Sequence, residues 1–171
     1  KVDAVTAGAV PLAALTAWQG LFDHGGLEAG GRVLIHAGAG GVGHFAVQFA
    51  KHAGAAVFVT ASGDGVEFVR SLGADQVIDY RTEDVAQRAG DVDLVFDAVG
   101  GDVLNRSFGL VRKGGQLFTI VGPPDEVMVK SHDIDARFVR ANLTGIKLEE
   151  IGGLVDAGKV KVIVEREFPL D

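Results

Sequence analysis

The stretch "HAGAGGVGHFAVQFA", residues His36–Ala50, sets four glycines and two alanines in its first eight positions, then becomes an apolar, helix-like run. A backbone that bare directly before a helix has two uses. Either a ligand comes very close to the main chain, or the helix packs very close to a strand. Upstream, "RVLIHA" (Arg32–Ala37) reads as a buried strand, and the periodicity downstream predicts a helix from about Gly41 to Ala53. Gly38, Gly40 and Gly43 fit G-x-G-x-x-G, with Gly41 as an extra glycine. In a strand–turn–helix context this is a dinucleotide fingerprint. Free N–H groups and the positive end of the helix dipole hold the pyrophosphate. The glycines admit the ligand and let the helix lie against the strand.

Working outward, short β-rich runs alternate with helical ones. "AAVFVTA" (Ala55–Ala61), "QVIDY" (Gln76–Tyr80), "DLVFDAVG" (Asp93–Gly100) and "GQLFTIVG" (Gly115–Gly122) read as the second to fifth strands. An amphipathic run ending at "RKGG" separates the last two, and a helix is expected near Val66–Leu72. "ARFVRANLTG" reads as a sixth strand, followed by a helix around Leu148–Ala157 and a further β-rich run, "KVIVE". Apolar strands alternating with helices imply a parallel sheet covered on both faces. The expected fold is α/β: a Rossmann-type, doubly wound parallel sheet of about six strands. Residues 1–29, with an apolar helix at Pro11–Leu21, form a lead-in and junction, and residues 30–171 form the dinucleotide-binding domain. "PPDE" (Pro123–Glu126) reads as a surface loop.

The bulk composition agrees. The chain has 171 residues, 47% of them apolar, enough for one packed domain. Sixteen basic against 23 acidic residues give a net charge of −7, which argues against nucleic-acid or anionic-membrane partners. Cysteine is absent, so disulfides and thiolate metal sites are excluded, and a cytoplasmic location is expected. No apolar run approaches the roughly 18 residues of a membrane span. The chain begins at Lys1 without a signal-peptide pattern and is expected to be a processed or excised piece.

The end of the second strand bears on which dinucleotide is bound. An acidic residue there serves the ribose hydroxyls of NAD, and its absence leaves room for a 2′-phosphate. Here Thr60, Ala61 and Ser62 stand in that place, which favours NADP, whereas nearby Asp64 would disfavour a phosphate unless it points away.

Together, "AGAVPLAALTAWQGL", "VLIHAGAGGVGHFAVQFAK", "LGADQVIDYRTED" and "DLVFDAVGG" resemble the zinc-independent quinone oxidoreductase branch of the medium-chain dehydrogenase/reductases. The likeness runs from about Val10 to Leu170, in the family's motif order. It implies a cofactor-binding domain whose GroES-like catalytic domain and C-terminal end lie outside this chain. By resemblance, Thr16 approaches the nicotinamide end, and Gly40, Gly41 and Val42 form the pyrophosphate turn. Ser62, Tyr80 and Arg81 take the adenosine and its 2′-phosphate. Val99, with Val121, Gly122 and Pro123, lines the ribose and nicotinamide. Relatives often carry Lys or Arg after the serine, where this chain has Gly63-Asp64-Gly65. The zinc-dependent relatives place a ligand cysteine where Leu12 stands, so no zinc is expected. The family also pairs its edge strand across a dimer, which places a homodimer contact near Ala136–Leu143.

Other features read as structural. No two of His24, His36, His44, His52 and His132 stand at ligand spacing, and His36 is expected to be a hydrogen-bonded core residue. Phe45 and Phe49, at i and i+4, read as core, and Trp18 as an anchor for the lead-in helix. Glu83-Asp84 and Glu149-Glu150 read as solvated helix starts. Tyr80 is followed at i+4 by Asp84, so a Tyr-x-x-x-Lys proton relay is absent. No catalytic residue is assigned. The resulting expectation is an NADPH-dependent oxidoreductase that passes hydride to a quinone, enone or carbonyl, with this chain alone inactive. A non-catalytic dinucleotide sensor is the alternative. A methyltransferase is disfavoured by Thr60, where its cofactor site wants an acid.

Overall fold

The computed structural model describes residues 3–143 and 145–168 of the chain. Strands β1 (Arg32–Ile35), β2 (Ala56–Ala61), β3 (Gln76–Asp79), β4 (Val92–Asp97), β5 (Val111–Thr119) and β6 (Asp135–Phe138) form one sheet in the order β3-β2-β1-β4-β5-β6. Every neighbouring pair is parallel. The winding direction reverses between β1 and β4, and the carboxyl ends of strands at such a reversal form a crevice for ligands.

Helices cover both faces because the buried strand residues alternate. Val33 and Ile35 of β1 join one core cluster, which includes residues of α2 (Pro11–Trp18), α3 (Gly43–His52), α4 (Gly65–Ser71) and α8 (Gly145–Asp156). Leu34, between them, joins the other, with residues of α5 (Val85–Ala89), α6 (Gly101–Ser107) and α7 (Glu126–Ser131). A short helix α1 (Ala4–Ala9) precedes α2. Phe45 and Phe49 are fully buried on α3, and Trp18 packs its ring on Phe49 and Phe22 at centroid distances of 5.3 and 4.7 Å. The aromatic residues are therefore core and anchor, as their spacing suggests.

After Trp18 the helix widens into a π-turn, Gln19–Asp23. A Cβ at Gly20 would lie 2.4 Å from the Phe96 ring, so glycine lets this turn sit on β4. The turn carries the buried Gln19 side chain, whose amide donates to the Asn142 carbonyl (2.6 Å) and accepts from the Asn142 amide (2.8 Å). Gln48 of α3 does the same with Lys161, at 3.0 and 2.7 Å.

These two grips explain where the sequence reading fails. The run "ARFVRANLTG" reads as the sixth strand, but that strand ends at Phe138. The Val139 amide still bonds Thr119, and by Asn142 the main-chain groups belong to Gln19 (Thr144 lies outside the described residues). "KVIVE" is not a strand, because the Lys161 main chain is held on α3 by a side chain. Three smaller corrections follow. "RKGG" lies within β5, whose register shifts opposite Val92 and Leu94, with Gly114 at φ +72°. Glu126 opens α7, so the loop of "PPDE" ends at Asp125, which caps that helix. Glu149-Glu150 lie in the middle of α8, whereas Asp84 does cap α5 by accepting from the Ala86 and Gln87 amides.

Candidate dinucleotide site

The glycines of the turn after β1 divide by what surrounds them. A Cβ on Gly43 would fall 2.1 Å from the Ala37 carbonyl oxygen, and one on Gly38 would fall 2.0 Å from Val59. Both distances lie far inside van der Waals contact, so these two glycines seat α3 on the sheet. Gly41 faces open space, with nothing within 4 Å, and Gly40 meets only the Ala37 oxygen at 3.2 Å. Thus both uses of a bare backbone are present, on different residues. The Gly40 amide bonds Ala37 (2.9 Å) and the His44 amide bonds Gly40 (3.0 Å). No hydrogen-bond acceptor within the described chain faces the amides of Gly41, Val42 and Gly43, the free donors of a helix start. Ala37 itself sits at φ +56°, the one non-glycine residue with positive φ among those described.

A cavity of about 820 Å³ opens from this turn toward the ends of β2 and β3. Four of the expected cofactor contacts line it, Gly40, Ser62, Tyr80 and Val99, together with Thr60 and Ala61 of the strand end. The Ser62 hydroxyl donates to the Tyr80 oxygen at 2.9 Å, bridging β2 and β3. That bond, with the charge of Arg81 beside it, holds the phenol below its ordinary pKa. The other candidates lie elsewhere. Thr16 is buried in α2, its hydroxyl donating to the Leu12 carbonyl at 2.7 Å. Gly41 and Val42 continue the turn beyond the cavity wall, and exposed Arg81 lies outside it. Val121, Gly122 and Pro123 follow β5, where a Cβ on Gly100 would come 2.9 Å from Val121. Asp64 is exposed and does not line the cavity.

The sequence reading missed three contributors. Asp97, fully buried at the end of β4, accepts from the Val99 amide (3.0 Å) and the Gly100 amide (3.1 Å), which shapes the loop that carries Val99. An aspartate two and three residues before the amides of a glycine turn is an Asx signal that could have found it. Ser107, the second, acts together with Thr60 at the end of β2. The Ser107 hydroxyl donates to the Val103 carbonyl (2.7 Å), so it accepts from Nε2 of His36 (2.9 Å). His36 then accepts at Nδ1 from the Thr60 hydroxyl (3.1 Å). The imidazole is therefore the Nε2–H tautomer, a fixed link between β1, β2 and α6. Burial pushes its pKa down to about 4, against a partial upward pull from Asp97. Ser107 is 71 residues from His36, and no local pattern announces it. Arg106, the third, also lines the cavity.

The site fits a dinucleotide by its own geometry: a bare turn with free amides opens onto a largely apolar cleft at the strand reversal. Among the described residues, no group of three His, Asp or Glu stands together as a metal-ligand set.

The sequence model of a family described as zinc-binding dehydrogenase matches residues 72–171, more than half of the chain. A probable zinc-binding oxidoreductase, mitochondrial, of Arthroderma benhamiae is 35% identical over 182 residues, covering 96% of this chain and 55% of that protein. The chloroplastic NADPH-dependent alkenal/one oxidoreductase of Arabidopsis thaliana is 35% identical over 174 residues, covering 99% and 42%. Among solved structures, the quinone oxidoreductase from Coxiella burnetii superposes with a TM-score of 0.85 at 35% identity, covering 92% of this chain and 51% of that one. The chain thus spans about half the length of these relatives.

Proposed function

Because the chain belongs to the medium-chain dehydrogenase/reductase family, as a cofactor-binding domain of the quinone-oxidoreductase type, we propose that it is the NADPH-holding module of a reductase acting on quinones, enones or related carbonyl compounds. One observation carries this reading: Gly40 on the wall of the 820 Å³ cavity and Gly41 next to it form a turn left uncovered by side chains. The free amides of residues 41–43 bind the pyrophosphate, supported by the positive end of α3. Ser62 and Tyr80 receive the adenosine side, with no carboxylate at the end of β2 to repel a 2′-phosphate. The loop held by Asp97 places Val99 against the cofactor, and the neutral His36 link keeps the ends of β1 and β2 in register with α6. When bound, the nicotinamide supplies the hydride, and the protein binds, orients and excludes water.

Residues 30–171 constitute the binding domain, and the acceptor pocket is completed by a catalytic domain outside this chain. Leu12 stands at the position where zinc-dependent relatives place a ligand cysteine, and the enzyme is read as zinc-independent. The edge segment near Ala136–Leu143, which begins in β6, is read as the homodimer contact, and the cytoplasm as the compartment. The test is a parallel titration of the protein carrying this chain with NADPH and NADH, followed by nicotinamide oxidation with a quinone and an enone. Tight NADPH binding with acceptor-dependent oxidation is expected. Binding without oxidation by any acceptor would favour a sensor instead. The 171 residues on their own should bind weakly and turn over little or nothing.

A further inference from the structure

We infer that Arg106 is the cation that reads the 2′-phosphate of the dinucleotide, a role the fingerprint at the end of the second strand does not assign to it. The inference rests on the NADPH reading above. The segment after the strand-end Ser62 is Gly63-Asp64-Gly65, which supplies no positive charge. Arg81, next to Tyr80, lies outside the cavity wall. Arg106, in the last turn of α6, is on that wall together with Ser62 and Tyr80.

The charges around the cavity are otherwise committed. Glu83 accepts from the Asp79 amide (2.9 Å) and pairs with Arg88 (2.9 Å). Asp84 is occupied by the amides of α5. His36 is neutral and bonded on both nitrogens. Arg106 has no ion pair or side-chain hydrogen bond among the described residues, although carboxylates share its cavity. A solvated guanidinium on the rim of a cleft can receive an anion without first breaking a bond. A phosphate monoester is the anion it suits best, since its planar fork meets two oxygens at once.

The inference also accounts for the position of Ser107. Its hydroxyl is tied to His36, which anchors the last turn of α6 to the end of β1 and fixes the main chain from which Arg106 extends. The specificity residue is thus mounted on a braced helix turn rather than on the Gly63–Gly65 loop.

The test uses the protein carrying this chain and two probes that report the adenosine end alone, 2′,5′-ADP and 5′-AMP, each competing with bound reduced nicotinamide dinucleotide. Wild type should bind 2′,5′-ADP more tightly. Arg106→Gln should weaken 2′,5′-ADP and NADPH by about 10- to 100-fold, as expected when a hydrogen bond to a charged group is lost. It should leave 5′-AMP and NADH unchanged, and Arg106→Lys should recover part of the loss. Unchanged thermal unfolding will confirm that the variants fold. Equal weakening of both probes would overturn the inference, assigning Arg106 to the base or ribose. So would a variant that still discriminates as wild type does. If wild type itself fails to prefer 2′,5′-ADP, the NADPH reading falls, a result separable from the other two.

Discussion

Replacing Gly43 and Gly41 by alanine, one at a time, separates the two reasons for a bare backbone in this turn. At Gly43 the new methyl would sit 2.1 Å from the Ala37 oxygen, 2.8 Å from the Gly38 Cα and 2.9 Å from the Ala37 carbonyl carbon. All three are main-chain atoms, so no rotamer change relieves the clash. To regain ordinary contact, α3 must retreat by more than 1 Å from β1, against a core in which Phe45, Val47 and Phe49 are already buried. Overpacking of this kind costs about 3 kcal/mol or more. For a chain of this size that lowers Tm by roughly 6–12 °C. At Gly41 the same methyl meets nothing within 4 Å. Gly41→Ala should stay within about 1 kcal/mol of wild type, with a small gain from the stiffer unfolded chain. Its cost should fall on the ligand, with dinucleotide binding weakened about tenfold, or ~1.4 kcal/mol. Thermal and denaturant unfolding measure the first effect, and titration with NADPH measures the second. A Gly43→Ala protein as stable as wild type, or a Gly41→Ala protein that loses stability but keeps full binding, would refute this division of labour.

Two further outcomes follow from buried polar groups. The unfolded chain protonates His36 near 6.5, the folded chain only near 4, so between these values the unfolded state binds more protons and stability falls as the pH is lowered. The loss should reach about 3 kcal/mol by pH 4, with His44, whose pKa burial also lowers, adding in the same direction. Urea unfolding from pH 7 to 4 measures the slope, and His36→Gln should flatten most of it. Gln48→Ala should cost about 2–3 kcal/mol, by stripping two hydrogen bonds from the Lys161 main chain. Amide exchange at Lys161 should accelerate in that variant, and unchanged protection there would contradict the assignment.

Much of the architecture was legible in the sequence because parallel strands buried on both faces are continuous apolar runs. β1 to β4 could be placed from such runs, and the glycine turn from its position between strand and helix. The errors came where a side chain replaced the sheet as hydrogen-bond partner. "KVIVE" has strand composition, and only Gln48, 113 residues away, explains why it is not one. At the site, the glycine turn and the end of β2 drew attention to Gly40 and Ser62, and the resemblance to Tyr80 and Val99; all four line the cavity. The links from His36 to Ser107 and from Asp97 to its loop depend on which elements the winding brings together. Thr16, named by resemblance, donates its hydroxyl to Leu12 of its own helix.

The paired grips of Gln19 and Gln48 leave a mark on which positions of the C-terminal strip are free to vary. In each case the atoms that are held, N–H and C=O, are the same in every residue except proline, which lacks the donor. The strip can therefore exchange the side chains at Asn142 and Lys161 for almost any other without letting go. The two glutamines must keep both length and amide, because asparagine is one methylene shorter and glutamate cannot donate. The burden of specificity sits on the hand rather than on what it holds.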